Sequence, residues 1–145
     1  MNQEYFLQRI HGVIMPSTGC TEPVAIALNT ATARANAQGE VRHLTITLDN
    51  YLYKNAMGVG IPGADERGVA LCAAMGVTAG DATAKMRVLD HVSPEALCAA
   101  KKMVAEGRVT VKTRSDVHGL LVESVLETDS DTVRVLTLQS HTNIV

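Results

Sequence analysis

Apolar residues in this chain switch repeatedly between helical spacing and strict alternation, and this limits the fold more than any other feature. Phe6, Ile10, Val13 and Ile14 recur at helical spacing, which predicts a first amphipathic helix from about Gln3 to Met15. Pro16-Ser-Thr-Gly19 breaks it. A second helix starts near Thr21-Glu22-Pro23, where Thr21 or Glu22 can cap and Pro23 suits the first turn. Its stripe is Val24, Ala27, Leu28, Ala31 and Ala35, with Gly39 as the predicted terminator. From Arg42 to Asp49 the period drops to two. Leu44, Ile46 and Leu48 face one way and Thr45 and Thr47 the other, the pattern of a half-buried strand.

A glycine-rich loop, Gly58 to Gly63, then leads into a predicted helix from Asp65 to Gly76, apolar on most sides and therefore buried. Ser93-Pro94-Glu95 starts another helix, which carries Leu97, Ala100 and Val104 and ends at Gly107. Strands are predicted over 108–114, 120–127 and 132–140, the last two joined as a hairpin by Thr128-Asp-Ser-Asp131. In the final strand Val133 and Val135 give way to Leu136 and Leu138, a phase slip that suggests a bulge. The order α-α-β-α-α-β-β-β reads as one α+β domain over residues 1–145: two N-terminal helices, an antiparallel-rich sheet with packed helices, and a C-terminal hairpin. The last residues, Ile144-Val145, follow a strand with no polar tail, as if a longer fold were interrupted there.

Size and charge exclude several classes of function. A chain of 145 residues can bury roughly two-thirds of its unfolded surface. Alanine (18) and glycine (11) are abundant and aromatic residues few, so close approach between elements is expected in place of aromatic filling. The net charge is −2, no Lys/Arg run exceeds two residues, and three Tyr with one Phe leave little for base stacking, so nucleic acid is not an expected partner. The longest apolar run, Val69 to Met75, is far short of the ~20 residues of a spanning helix. The N-terminus lacks the apolar core of a signal peptide. Cys20, Cys72 and Cys98 form neither a disulfide framework nor a zinc pattern, which points to a reduced, cytoplasmic setting.

Two segments carry candidate chemistry. Gly58-Val-Gly60-Ile-Pro-Gly63 fits G-x-G-x-x-G, yet the strand before it alternates, Tyr51 to Met57 intervene, and Pro62 removes a donor where phosphate would need one. A loop allowing close backbone contact explains it as well. Pro16-Ser-Thr-Gly-Cys20-Thr-Glu-Pro23 places a thiol at a helix N-terminus, where the dipole favours a thiolate that could ligate a metal or act as a nucleophile. The same amides could hold a carboxylate, and a small apolar residue in a capped start is the bland alternative. Cys72 and Cys98, in Leu-Cys-Ala-Ala helical settings, read as core. Lys54 and His141 could each serve a site or be solvated surface residues.

Gly19-Cys-Thr-Glu-Pro23 followed by an alanine-rich helix resembles the L-cysteine desulfidase and serine dehydratase alpha-chain-like family, of UPF0597 type. So do Lys54-Asn-Ala-Met-Gly-Val-Gly-Ile-Pro-Gly63, Ala73-Ala-Met-Gly-Val-Thr-Ala-Gly-Asp81 and His141-Thr-Asn-Ile-Val145, in family order and over nearly the whole chain. The resemblance implies a [4Fe–4S] lyase that converts L-cysteine to pyruvate, ammonia and sulfide, or deaminates L-serine. It implies that Cys20 is one of three cluster cysteines, the others lying in a helical C-terminal half. This chain would then be the N-terminal part of a longer enzyme or one subunit of a split one. Alone it would be inactive and unable to assemble the cluster. Its partners would be that second half or subunit and a small amino-acid substrate, and a homo-oligomer is compatible with this. Lys54, Asn55 and His141 are then the candidate catalytic residues, and Thr21, Glu22, Gly58 and Gly60 the candidate substrate-binding ones. A non-catalytic metabolite-binding or scaffold domain, and nucleotide binding through Gly58–Gly63, are the alternatives.

Overall fold

A computed structural model of the chain describes residues 21–62, 64 and 66–145. The helix expected over Gln3 to Met15, together with Cys20, Gly63 and Asp65, lies outside the described residues. Helix α1 (Thr21–Ala35) leads into strand β1 (Val41–Asp49), which runs without a gap into helix α2 (Asn50–Gly58). Helix α3 (Val69–Ala79), a 3-10 segment (Ala82–Arg87) and helix α4 (Pro94–Ala105) follow, then strands β2 (Val109–Arg114), β3 (Leu121–Thr128) and β4 (Thr132–Leu138). The α+β expectation, including the C-terminal hairpin, holds.

The sheet has the order β2-β1-β3-β4. β3 is antiparallel to both neighbours, whereas β1 and β2 are parallel, so the sheet is mixed. The parallel pair requires the long crossover that α2, α3 and α4 supply. Leu44, Ile46 and Leu48 of β1 share their face with Val122 and Leu126 of β3, and all are buried. The alternation read in the sequence thus marks the face turned to the helices.

Helix α1 is covered on nearly every side, from Pro23 through Ala31, because it packs against α3 and against the inner faces of β3 and β4. That is more complete than its predicted one-sided stripe. It also ends at Ala35, before Gly39. The Asn36 side chain donates to Thr32 O at 2.9 Å, and Gly39 takes φ +92° in the turn toward β1.

Small residues make this burial geometrically feasible. A Cβ added at Gly76 of α3 would meet Thr30 Oγ1 and Ala27 O, and would lie 2.9 Å from Ala27 Cα. One added at Gly80 would lie 2.6 Å from Ala31 Cβ. The alanine and glycine excess is concentrated where two helices touch backbone to backbone. On its other side α1 presents Asn29 to the sheet. Its Nδ2 donates to Val122 O (3.1 Å), Val135 O (3.3 Å) and Thr137 Oγ1 (2.9 Å).

Four expectations are corrected. The β3–β4 register runs unbroken from Leu121↔Leu138 to Glu127↔Thr132, so β4 carries no bulge; the register shift lies in β1, between Val41 and His43. The inward position after Val135 belongs to Thr137, buried because Asn29 satisfies it, and Leu136 and Leu138 occupy the opposite face. Strand β4 also stops at Leu138, since Gln139 takes φ +67°. The segment read as a spacer, Tyr51 to Met57, is helix α2, nucleated by Asp49 at its N-cap and anchored by buried Leu52 and Ala56 one turn apart. Finally, α3 begins at Val69, after Gly68 at φ +121°, and not at Asp65.

Substituting Gly76→Ala should lower stability by about 3 kcal/mol, because helix backbones must separate to admit the methyl group. Gly58→Ala, where an added Cβ meets nothing within 4 Å, should be neutral or stabilising by up to ~1 kcal/mol. Urea unfolding midpoints of the two variants check this contrast.

Candidate functional site

Asp49 stands where β1 ends, α2 begins and β3 begins. Its Oδ1 accepts from Leu52 N at 2.9 Å and its Oδ2 from Leu121 N at 2.8 Å. Asp49 is 3 % exposed, and both of its oxygens are spent on backbone donors inside the protein. Leu120 O in turn accepts from Gln139 N at 3.1 Å, which ties the start of β3 to the turn after β4. In that turn Asn143 Nδ2 donates to Leu138 O at 2.9 Å, and Val145 N donates to Leu136 O at 2.7 Å.

A cleft of about 250 Å³ opens over this junction. Glu22 comes from the first turn of α1, Asn55 from α2 and His141 from the turn after β4. Asp49, Tyr51 and Leu52 form one flank, and Gly119 and Leu120 close it from the loop before β3. Three of the residues singled out in the sequence therefore meet, although the chain carries them far apart. Glu22 and His141 are half-buried and Asn55 is exposed. Asp49 is committed to backbone amides, so Glu22 is the carboxylate of the described lining that remains for a ligand.

The other described candidates do not line this cleft. Thr21 is exposed at the start of α1, its hydroxyl 3.4 Å from Glu22 Oε2. Lys54 is exposed on α2. Gly58 ends α2, and Gly60 pairs with Arg67 in an isolated bridge, while Arg67 Nη1 donates to Gly58 O at 3.4 Å. The glycine run thus follows a helix C-terminus. A dinucleotide loop needs a strand that ends directly in the glycine turn, and β1 instead ends in α2. Asp49, Tyr51, Leu52, Gly119 and Leu120 were missed as lining. For Asp49 the available signal was an acid directly after an alternating strand, followed by apolar residues spaced four apart.

A larger groove of about 570 Å³ lies between α2, α3, α4 and β2, with Tyr53, Met57, Leu71 and Val104 along it and the Glu66–Lys101 ion pair (2.5 Å) at its rim. None of the candidate catalytic, substrate-binding or metal residues lines it.

The donor set for a metal can be tested directly. Cys72 is buried in α3, where burial pushes its thiol up to about 12, and its Sγ lies 2.8 Å from Pro23 O as a donor. It is a neutral core residue, as expected. Cys98 is exposed, contrary to expectation, because α4 turns Ala100 and Met103 inward and leaves Cys98 off that face. Among the described residues no group of three or more His, Cys, Asp or Glu side chains could hold a metal ion. A [4Fe–4S] cluster needs several converging thiolates. The described residues do not fit one, and Cys20 lies outside them.

Similarity searches bear on the whole chain. It is 34 % identical over 143 residues to a protein of Dichelobacter nodosus, 35 % over 144 residues to one of Porphyromonas gingivalis, and 36 % over 149 residues to one of Vibrio parahaemolyticus. All three of these relatives are UPF0597 proteins. Each UPF0597 match takes in 99 % or more of this chain but only 33–35 % of the relative, so the chain spans about one third of their length. No family model and no solved structure matches the chain. Among the described residues no helix is long and apolar enough to cross a membrane.

Burial of Cys72 and exposure of Cys98 make a chemical prediction. Native protein treated with iodoacetamide near pH 8 should be modified at Cys98 within minutes, while Cys72 reacts only after denaturation. Peptide mass mapping of the two sites reads the difference.

Proposed function

We propose that this chain is the substrate-binding portion of an amino-acid lyase of the L-cysteine desulfidase or serine dehydratase type, completed by the remaining length of its UPF0597 relatives or by a second subunit. The observation that carries this reading is convergence. Three separate motif blocks, Gly19–Pro23, Lys54–Gly63 and His141–Val145, each send one polar side chain to the same cleft. Chance placement of three independent blocks would scatter those side chains.

The cleft's chemistry suits a small zwitterion. At about 250 Å³ it matches a small amino acid better than a nucleotide. Glu22 supplies the negative charge that pairs with an α-ammonium group. Asn55 offers an amide donor to the α-carboxylate, and His141 is the candidate general base of the lining. In the proposed elimination the Cα–H electron pair forms the Cα–Cβ double bond. The Cβ–S or Cβ–O bond breaks as sulfide or water leaves. The aminoacrylate formed hydrolyses to pyruvate and ammonia. A [4Fe–4S] cluster, implied by the motif resemblance, would have to draw its thiolates from beyond the described residues, with Cys20 as the one motif cysteine of this chain.

The test uses the full-length protein, purified without oxygen and reconstituted with iron and sulfide. Pyruvate release from L-cysteine or L-serine is expected. His141→Ala should lower kcat by about a hundredfold or more with little change in KM, and Asn55→Ala should chiefly raise KM. Wild-type protein that releases no pyruvate from either amino acid, or variants that turn over like wild type, would remove the cleft from the reaction.

A further inference from the structure

One buried carboxylate, that of Asp49, is hydrogen-bonded to both walls of the cleft. We propose that Asp49 is the positioning residue of this site, setting the placement of Asn55 and His141 without touching the ligand; the ligand part of this rests on the amino-acid reading of the cleft. One wall is α2, whose first turn is fixed by the bond from Leu52 N to Asp49 Oδ1 (2.9 Å). Asn55 lies one turn farther along that helix. The other wall is the Gly119–Leu121 loop, fixed by the bond from Leu121 N to Asp49 Oδ2 (2.8 Å). Leu120 O receives Gln139 N at 3.1 Å, and Gln139 holds φ +67°, so the turn that carries His141 hangs from the same loop.

Both oxygens act as acceptors, which makes the residue type decisive. An asparagine keeps one acceptor but sets an N–H against an N–H at the other position, so one wall must move. An alanine loses both bonds. Asp81 offers a natural comparison, since its carboxylate also caps a helical segment by accepting from Thr83 N (3.0 Å) but lines no part of this cleft. Loss of the exposed Asp81 cap leaves the cleft walls bonded as before, whereas a positioning role acts only at Asp49.

The experiment compares Asp49→Asn with Asp81→Asn in the full-length protein by calorimetry with L-serine and L-cysteine, and by NMR of the His141 ring without ligand. Asp49→Asn is expected to weaken binding at least tenfold and to shift the His141 resonances, while Asp81→Asn leaves both as in wild type. If Asp49→Asn fails to fold, Gly119→Ala carries the test. Gly119 holds φ +102°, and its added methyl group would meet no atom within 4 Å, so strain displaces the loop without a clash. Unshifted His141 resonances, or unchanged affinity, in the folded variant overturn the inference. Shifted resonances in a protein whose wild type binds neither amino acid uphold the positioning role and overturn the amino-acid reading instead.

Discussion

The contact on which the rest of the structure depends is the backbone approach of α1 and α3 at Gly76. With no side chain there, α3 can lie against Ala27 and Thr30, and α1 becomes a central element packed between α3 and the sheet. Where α1 meets α3 this closely there is room only for small side chains, which explains Ala27 and Ala31, while Ile26 and Leu28 are buried elsewhere on the helix. The helix also has no water for a polar group, and Asn29 is tolerated only because strand carbonyls and Thr137 take up its amide protons. Asn29 Oδ1 and Ser124 Oγ nevertheless lack a partner among the described residues, a cost set against that anchoring.

From this packing the cleft follows in steps. Burying α1 fixes its first turn, and with it Glu22, beside the end of β1. Strand β1 cannot continue past Asp49, because Asp49 caps α2 and at the same time receives the start of β3. The lining is therefore assembled from element ends: the first turn of α1, the first turns of α2, the loop before β3 and the turn after β4. Such places combine rigid support with exposed polar groups, the usual combination for binding sites.

Local signals were legible in the sequence, the β3–β4 hairpin among them because a short turn closes it, and pairings between distant strands were not. The Thr21-Glu22-Pro23 and Ser93-Pro94-Glu95 starts, the alternation through Leu44, Ile46 and Leu48, and the Thr128–Asp131 turn each depend on neighbouring residues, and each was placed within a few positions. Helix α2 was missed because Asp49 serves two elements at once and no breaker separates them. The parallel pairing of β1 with β2 was missed because alternation identifies a strand but says nothing of its neighbour. Leu136 and Leu138 misled because a hydrogen-bonded threonine filled the inward position that apolar periodicity assigns to a leucine. For the site, motif blocks singled out Glu22, Asn55 and His141, which meet. Lys54 and Gly58 belong to the same block yet stand outside the lining, since a helix turns its neighbouring residues to different sides, and Gly60 lies beyond the end of that helix.

The parallel pair of β1 and β2 also bears on how the chain reaches this shape. The β3–β4 hairpin closes over a short turn and can form early, whereas β1 and β2 can join only after everything from Asn50 to Arg108 has been gathered into the crossover. The groove between α2, α3, α4 and β2 is made entirely of that late-joining part, while the Asp49 cleft straddles the boundary between early and late. Its two walls meet through the pairing of β1 with β3 and the bond from Leu121 N to Asp49, so a chain with the hairpin formed and β1 still apart would display the motif residues without a site.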